Sequence, residues 1–165
     1  MLLLQQTLYY DEGNREMNHQ IHSEINIDAP ADVVWAILTD LDAYADWNPF
    51  VIASSGTTAV GEKLTNRMQN PGGRAMTIRP EVTVVEPDET FEWLGHLGMP
   101  GIFDARHRFE IETTATGVAF HQSEDFKGVL VRVMRRSLDN QTVHGFEEMN
   151  EALKARAEAR VGNNS

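Results

Sequence analysis

A histidine on a predicted strand has the type and the surroundings of a functional group. Apolar and charged residues alternate along 102–112, which is typical of a strand with one face toward the interior. His107 falls on the apolar face, between Phe103 and Phe109. Near neutral pH its imidazole could exchange a hydrogen bond with a ligand carbonyl or hydroxyl. A core histidine whose hydrogen bonds are met within the protein fits the same position.

An acidic residue on the last predicted strand completes a candidate pair. Alternation along 118–126 places Glu124 on the same face as Phe120 and Phe126. An inward carboxylate is costly unless a partner compensates its charge. If adjacent strands carry His107 and Glu124, the two could orient a ligand, or act as acid and base in an aldol-type cyclisation or a dehydration. An internal salt bridge to an arginine explains Glu124 equally well.

Further apolar side chains would either line a cavity beside this pair or complete the core. Trp93 shares a strand face with Gly95, and Met134 lies on the apolar stripe of a C-terminal helix. His96 falls on the opposite strand face and is expected at the solvated surface, unless the Gly98–Gly101 loop carries it toward an entrance. The candidate cavity residues are Trp93, Phe103, His107, Phe109, Phe120, Glu124, Phe126 and Met134.

Metal and covalent chemistry gain no support from residue spacing. The chain has six histidines, but His19 and His22 lie near a predicted strand start, and His96 and His107 are far apart. There is no HExxH signature, no Gly-x-Ser-x-Gly motif and no cysteine. We therefore expect neither a metal nor a cofactor.

The periodicity of apolar residues predicts the elements that position these side chains. Strands separated by short loops, with no helix between them, must form an antiparallel sheet that is largely a meander. The fold class is therefore α+β, with about seven strands and a long C-terminal helix. The predicted elements are a strand over 21–27, a helix over 31–39, a short helix over 41–46 with Asp40 as its possible cap, six strands within 50–128, and a helix from about 129 or 137 to 158.

Two glycine-containing segments have a predicted role. Gly145 lies within the long helix, where glycine costs about 1 kcal/mol relative to alanine. We interpret it as a point of close approach to the sheet. Asn70-Pro71-Gly72-Gly73 is a flexible turn suited to a lid, and it is not a phosphate loop because no Lys-Ser or Lys-Thr pair follows.

Composition limits the domain organisation and the partners. A length of 165 residues fits a single domain, which we place at residues 20–160, with a leader at 1–19 that is either disordered or an added strand, and a tail at 161–165. The net charge of -11 argues against nucleic acid and anionic lipid surfaces as partners. The apolar start at residues 1–4 is too short for export or a membrane span. A cytoplasmic location without integral membrane contact is expected.

The order of elements, together with three segments, resembles the START-like superfamily, also called SRPBCC. The segments are 27–35, which begins Ile-Asp-Ala-Pro, 44–50, which reads Tyr-Ala-Asp-Trp-Asn-Pro-Phe, and 123–128, which reads Ser-Glu-Asp-Phe-Lys-Gly. The resemblance covers about residues 20–158 and implies a helix-grip fold. In this fold a curved sheet wraps around the long helix, and a cavity lies between the two. It also implies that the corner at Trp47 and Asn48 adjoins the cavity, although packing of Trp47 under that corner is the alternative.

The superfamily's roles give three hypotheses for this chain. The leading one is non-enzymatic binding of a small apolar molecule, such as a lipid, a polyketide or an aromatic compound. The second is a polyketide cyclase or dehydratase that uses the same cavity. The third is an interaction protein that modulates a partner, which an exposed apolar patch outside the cavity would favour. The oligomeric state is open, a homodimer being one arrangement.

Overall fold

The chain folds into two antiparallel sheets and a long C-terminal helical segment. The structure, a computed structural model, describes residues 18–69 and 72–163. Its elements are β1 (Asn18–Ile27), α1 (Ala31–Thr39), a 3-10 turn (Leu41–Ala43), α2 (Tyr44–Trp47), β2 (Val51–Ser55), β3 (Thr65–Met68), β4 (Met76–Ile78), β5 (Glu81–Glu86), β6 (Thr90–His96), β7 (Asp104–Thr113), β8 (Val118–Lys127), α3 (Val131–Ser137), a π-helical turn (Leu138–Thr142) and α4 (Val143–Gly162).

The larger sheet carries the residues that the sequence pattern placed on an inner face. Its strand order is β1-β8-β7-β6-β5, and the smaller sheet has the order β2-β3-β4. Both sheets are antiparallel, as expected. The predicted α+β helix-grip architecture with a curved antiparallel sheet is confirmed.

The described chain has seven strands between residues 50 and 128 instead of the predicted six. The difference arises at Arg79-Pro80, where β4 ends and β5 begins. Proline has no backbone N–H to donate to a ladder, so it breaks what the alternation indicated as one strand. After this break the chain leaves the small sheet and pairs with β6 in the large one.

The first strand and the short helices follow the predicted order with shifted boundaries. Strand β1 already begins at Asn18, so the last two residues of the predicted leader belong to the sheet. Residues 1–17, the last two residues of the predicted tail, and Asn70 and Pro71 of the predicted lid lie outside the described residues. The Asp40 side chain makes no capping hydrogen bond, and a 3-10 turn precedes α2.

The C-terminal helical segment begins at Val131 and ends at Gly162, four residues later than predicted. Its α4 part packs against β1 and α1 and buries Phe146, Met149 and Leu153 in the core. Leu130, which the pattern placed on the buried stripe, is exposed just before α3. Within the described residues, no helix has both the length and the apolar composition needed to cross a bilayer.

Gly145 does mark a close approach, but its neighbour is a phenylalanine before β2 and not the sheet. A Cβ atom at this position would lie 2.4 Å from Cδ2 of Phe50. Phe50 is buried and packs edge-on against Phe146, with ring centroids 5.6 Å apart. The missing side chain of Gly145 therefore lets the corner before β2 pack directly on α4.

Candidate functional site

A cavity of about 170 Å³ lies between the end of the large sheet, the small sheet and the start of the C-terminal helical segment. Its walls are mainly apolar and include one buried carboxyl residue, Glu124, and one exposed arginine, Arg74. The lining residues are Phe50, Met68, Arg74, Met76, Ile78, Gly95, His96, Leu97, Phe103, Ala105, Glu124, Phe126, Met134, Leu138 and Thr142.

Two small side chains on the large sheet leave room for this cavity. Gly95 and Ala105 are direct partners across β6 and β7, and Ala105 is opposite Phe126 on β8. A Cβ atom on Gly95 would meet its nearest neighbour, in Pro80, at 3.7 Å, which is ordinary contact. Both small residues were on the predicted inner faces, so the alternation already contained the signal for an unfilled region.

Glu124 places a carboxyl group in the cavity wall. Its side chain is almost entirely buried, and it lies directly opposite His107 on the neighbouring strand. Burial, and secondly the charge of Asp125, raises the pKa of the Glu124 carboxyl to about 8. At neutral pH the group is therefore mostly a carboxylic acid, which can donate one hydrogen bond and accept others.

His107 is adjacent to Glu124, which is the arrangement that the candidate pair required, but it does not line the cavity. Gln122 Nε2 lies 2.9 Å from His107 Nε2 and donates to it, so the imidazole proton resides on Nδ1. That Nδ1 atom lies 3.8 Å from Glu124 Oε1, beyond hydrogen-bond distance. Burial lowers the pKa of His107 to about 3, so the ring is neutral and forms part of the core.

The alternative salt bridge from Glu124 to an arginine is not formed with any described residue. The buried carboxylate that does pair with arginines is Glu92, on the opposite face of the sheet. Glu92 receives hydrogen bonds from Arg106 and from Arg108, the latter at 3.1 Å, and from Thr83 at 2.7 Å. The charge compensation considered for Glu124 thus occurs at a different carboxylate.

The predicted aromatic residues divide between the cavity and the core. Phe103 and Phe126 line the cavity with their ring centroids 5.5 Å apart, and Met134 lines it from α3. Three others are fully buried in the core and do not line the cavity, namely Trp93, Phe109 and Phe120. Trp93 packs edge-on against Phe109 at 5.0 Å. These residues support the sheet below the site.

The corner at Trp47 and Asn48 contributes to the cavity indirectly, because Asn48 holds Phe50 in position. Asn48 Oδ1 accepts hydrogen bonds from the backbone N–H groups of Phe50, at 3.0 Å, and Val51, at 2.8 Å. These bonds fix the turn that delivers Phe50 to the cavity wall. Trp47 packs against Tyr44, with ring centroids 5.3 Å apart. Neither Trp47 nor Asn48 is itself among the lining residues.

His96, which the pattern placed at the solvent face together with Asp104, lines the cavity and is paired with that aspartate. His96 and Asp104 are partners across the β6–β7 ladder, and His96 Nδ1 lies 2.6 Å from Asp104 Oδ1. The hydrogen bond from His96 lowers the pKa of Asp104, helped by the backbone N–H of Gly101. With Nδ1 engaged by Asp104, the Nε2 atom of His96 is the ring nitrogen available to a ligand.

The mouth of the cavity is bordered by exposed apolar side chains. Met76 and Leu97 line the cavity and are also exposed. The loop after β6 is hydrogen-bonded to the segment before α3, through Val129 N to Gly101 O at 3.4 Å and Leu130 N to Ile102 O at 3.1 Å. The other exposed large apolar residues here are Met99 in this loop, Val129 and Leu130 before α3, and Val133 within α3. An apolar rim therefore adjoins the mouth.

Sequence reasoning missed the walls contributed by the small sheet and by the π-helical turn. Met68 and Ile78 belong to β3 and β4, and Leu138 and Thr142 begin and end the π turn. No alternation in those short strands distinguishes a cavity wall from ordinary packing. Single π turns often occur at functional sites, but they have no strong sequence signature.

Comparisons with known proteins give one family and one fold. The sequence profile of the family described as "Polyketide cyclase / dehydrase and lipid transport" matches residues 18–158. Comparison with curated proteins gives no significant match.

Three solved structures illustrate the fold. The first is the di-domain aromatase/cyclase StfQ of steffimycin biosynthesis, with a TM-score of 0.75, 15% identity, and coverage of 92% of this chain and 55% of StfQ. The aromatase/cyclase ZhuI from a Streptomyces species has a TM-score of 0.72, 17% identity, and coverage of 87% and 96%. A Mesorhizobium loti protein has a TM-score of 0.64, 21% identity, and coverage of 84% and 96%. This chain thus spans about half the length of the di-domain protein.

Proposed function

Because this chain belongs to the family of polyketide cyclases, dehydrases and lipid-transport proteins, we propose that it binds a small apolar molecule carrying a hydrogen-bond acceptor. The observation that supports this function is a mainly apolar cavity with a protonated carboxyl group, that of Glu124, in its wall. Phe103, Phe126 and Met134 supply the apolar contacts, and Glu124 orients the ligand.

The cavity volume favours a ligand with one ring or a short chain. Its volume of about 170 Å³ is close to that of an engineered apolar cavity of about 150 Å³ that binds benzene. Pockets that bury drug-sized ligands typically measure about 300–1,000 Å³. A multi-ring molecule would therefore fit only if the rim opened, whereas a single substituted ring fits the cavity as it stands.

The chemistry of Glu124 favours a carbonyl or hydroxyl oxygen on the ligand. A protonated carboxyl donates through its O–H, and a buried donor without a partner costs about 1–3 kcal/mol. A ligand oxygen that accepts this bond is therefore preferred over a hydrocarbon of the same shape. A carboxylate ligand would instead be expected to turn its charge toward Arg74 at the edge of the cavity.

Matched probes separate apolar filling from the contribution of Glu124. Acetophenone has one ring and a carbonyl, and α-methylstyrene replaces the carbonyl oxygen by a CH2 group. In NMR titrations of the protein at pH 7, we expect both probes to shift the amide signals of residues around the cavity. Acetophenone should bind about three- to tenfold more tightly than α-methylstyrene, because one net hydrogen bond contributes about 1 kcal/mol. In Glu124→Met the preference should vanish while α-methylstyrene still binds. Binding of neither probe would contradict the proposed function.

A second candidate function, dehydration of a small β-hydroxy ketone, is favoured by the presence of His96 in the same cavity wall. Glu124 would protonate the hydroxyl group, which leaves as water as its C–O bond breaks. His96 Nε2, with its ring oriented by Asp104, would take the proton from the carbon next to the carbonyl, and a C=C bond forms. The raised pKa of Glu124 suits an acid at neutral pH.

This second candidate function is tested with the aldol adduct of benzaldehyde and acetone, whose dehydration product absorbs in the ultraviolet. Turnover above the buffer rate that is lost in Glu124→Gln and His96→Gln, with ligand binding retained, would support it. His144→Gln on the exposed face of α4 is the control. A dehydration rate equal to that in buffer would contradict this second candidate function, and ligand binding would remain the proposed function.

A further inference from the structure

A second cluster of polar side chains lies on the outer face of the large sheet, across the sheet from the cavity. His22 and Glu24 project from β1 and His121 projects from β8. One ligand atom from each of the three lies within 4.8 Å of the other two. We infer that this cluster binds a divalent transition-metal ion of the zinc class.

The strand pairing holds the three residues in place. Glu24 and His121 are direct partners in the β1–β8 ladder, and His22 is two residues before Glu24 on the same face of β1. Side chains that are opposite or diagonal across paired strands are within reach of each other when they are long or aromatic. The cluster is therefore built on hydrogen-bonded strands and does not depend on a loop.

The donor set selects the class of metal. Two imidazoles and one carboxylate form the protein ligands of many zinc sites that keep a position open for water. Calcium and magnesium prefer oxygen ligands throughout, so two histidines argue against them. The site faces solvent, because His22 and Glu24 are exposed and His121 is half-buried. A hydrated ion can thus reach it directly.

The two nitrogens of His121 face different groups, as in a metal-bound histidine. Nδ1 lies 3.5 Å from Glu24 Oε2, inside the cluster, and Nε2 lies 3.6 Å from Glu112 Oε2, outside it. A carboxylate beside the non-ligating nitrogen commonly orients a metal-bound histidine. The rings of His22 and His121 stack with centroids 5.7 Å apart and planes at 25°. Small side-chain rotations would therefore bring both imidazoles and Glu24 onto one ion.

An ion bound here would tie edge strand β1 to its only strand neighbour in the described sheet. Such an ion stabilises the folded chain, because an unfolded chain does not hold these ligands together. The inference is independent of the cavity, since alternation places His121 on the opposite face of β8 from Glu124. No short spacing motif contains the cluster, because its ligands come from the first and last strands.

The test is zinc binding by the full chain after treatment with a chelator, measured by equilibrium dialysis with metal analysis. We expect one zinc ion per chain for the wild type, and at least tenfold weaker binding for His22→Gln and His121→Gln. Glu112→Gln should bind several-fold more weakly. The matched control is His144→Gln, because His144 is an exposed histidine near Glu147 and Glu148 on α4, and it should bind like the wild type.

Two further readouts locate the ion and separate binding from misfolding. Zinc should raise the midpoint of thermal unfolding of the wild type and leave that of His22→Gln unchanged. Cobalt(II) should broaden the amide NMR signals around residues 22–24 and 121 before any others. Wild-type affinity in His22→Gln, a tenfold loss in His144→Gln, or broadening centred elsewhere would overturn the inference.

Discussion

Glu124 and His107 are directly opposite across the β7–β8 ladder, yet only Glu124 reaches the cavity. The Nδ1 atom of His107 lies 3.8 Å from Glu124 Oε1, and His107 is fully buried among aromatic rings. Burial acts on the two groups in opposite directions, raising the pKa of the acid and lowering the pKa of the base. Both are therefore uncharged at neutral pH, and they do not act there as an ion pair.

Glu124→Gln should change how stability depends on pH. The native wild type keeps the Glu124 proton up to about pH 8, whereas the unfolded chain loses it near the ordinary glutamate pKa of 4.5. The native state therefore binds more protons within this window, and the free energy of unfolding falls as pH rises. Each pKa unit corresponds to about 1.4 kcal/mol, so we expect Glu124→Gln to gain about 2 kcal/mol or more relative to the wild type between pH 5 and pH 9.

Urea unfolding of both proteins at these two pH values measures that gain. Acetophenone affinity supplies a second readout, because the wild type should bind more weakly above pH 8 while the glutamine variant, which keeps an N–H donor, should not. Parallel pH curves for the two proteins would show that Glu124 ionises normally.

His107→Leu should make the protein less sensitive to acid. Native His107 stays neutral down to about pH 3, whereas the unfolded chain binds a proton near the ordinary histidine pKa of 6.5. The unfolded state therefore binds more protons in this window, and stability is lost as pH falls through it. At pH 7 the variant should be less stable by about 1–3 kcal/mol, because Gln122 loses its imidazole acceptor and keeps only the weak acceptor Met149 Sδ. At pH 4.5 the difference should shrink or reverse.

Phe146→Leu is the control for His107→Leu. Phe146 packs against the His107 ring at 4.8 Å and does not titrate, so its loss should lower stability equally at both pH values. Chemical denaturation at pH 7 and pH 4.5 supplies the comparison. If the wild type and His107→Leu lost the same free energy of unfolding between pH 7 and pH 4.5, the result would be inconsistent with a neutral buried ring.

Gly145→Ala should destabilise the protein although alanine is the better helix former. A Cβ atom would lie 2.4 Å from Phe50 Cδ2, and the overpacking should outweigh the gain in helix propensity, for a net cost of about 1–3 kcal/mol. Gly162→Ala is a matched control near the end of α4, since a Cβ there meets nothing within 4 Å. Thermal unfolding of both variants is the measurement. Stabilisation by Gly145→Ala would mean that Phe50 does not pack against the helix.

The sequence predicts which residues share a strand face better than it predicts which of those residues line the cavity and which belong to the core. Alternation correctly placed Phe103 and Phe109 on one inner face, but it contains no information on which of them the helix covers. That depends on the position of α3 over one end of the sheet. The His96–Asp104 pair was missed for a related reason, because β6 ends at His96 and strict alternation no longer describes side chains at the strand end.

Filling the cavity is the most direct test of the claim that it holds a ligand. Native mass spectrometry would compare the wild type with Ala105→Leu, whose larger side chain occupies the cavity, and with Gly95→Val as a second filling variant. We expect the wild type to retain acetophenone at one molecule per chain and both variants to lose it, with thermal unfolding showing that they remain folded. Equal retention by wild type and folded variants, or no retention by the wild type, would contradict the account.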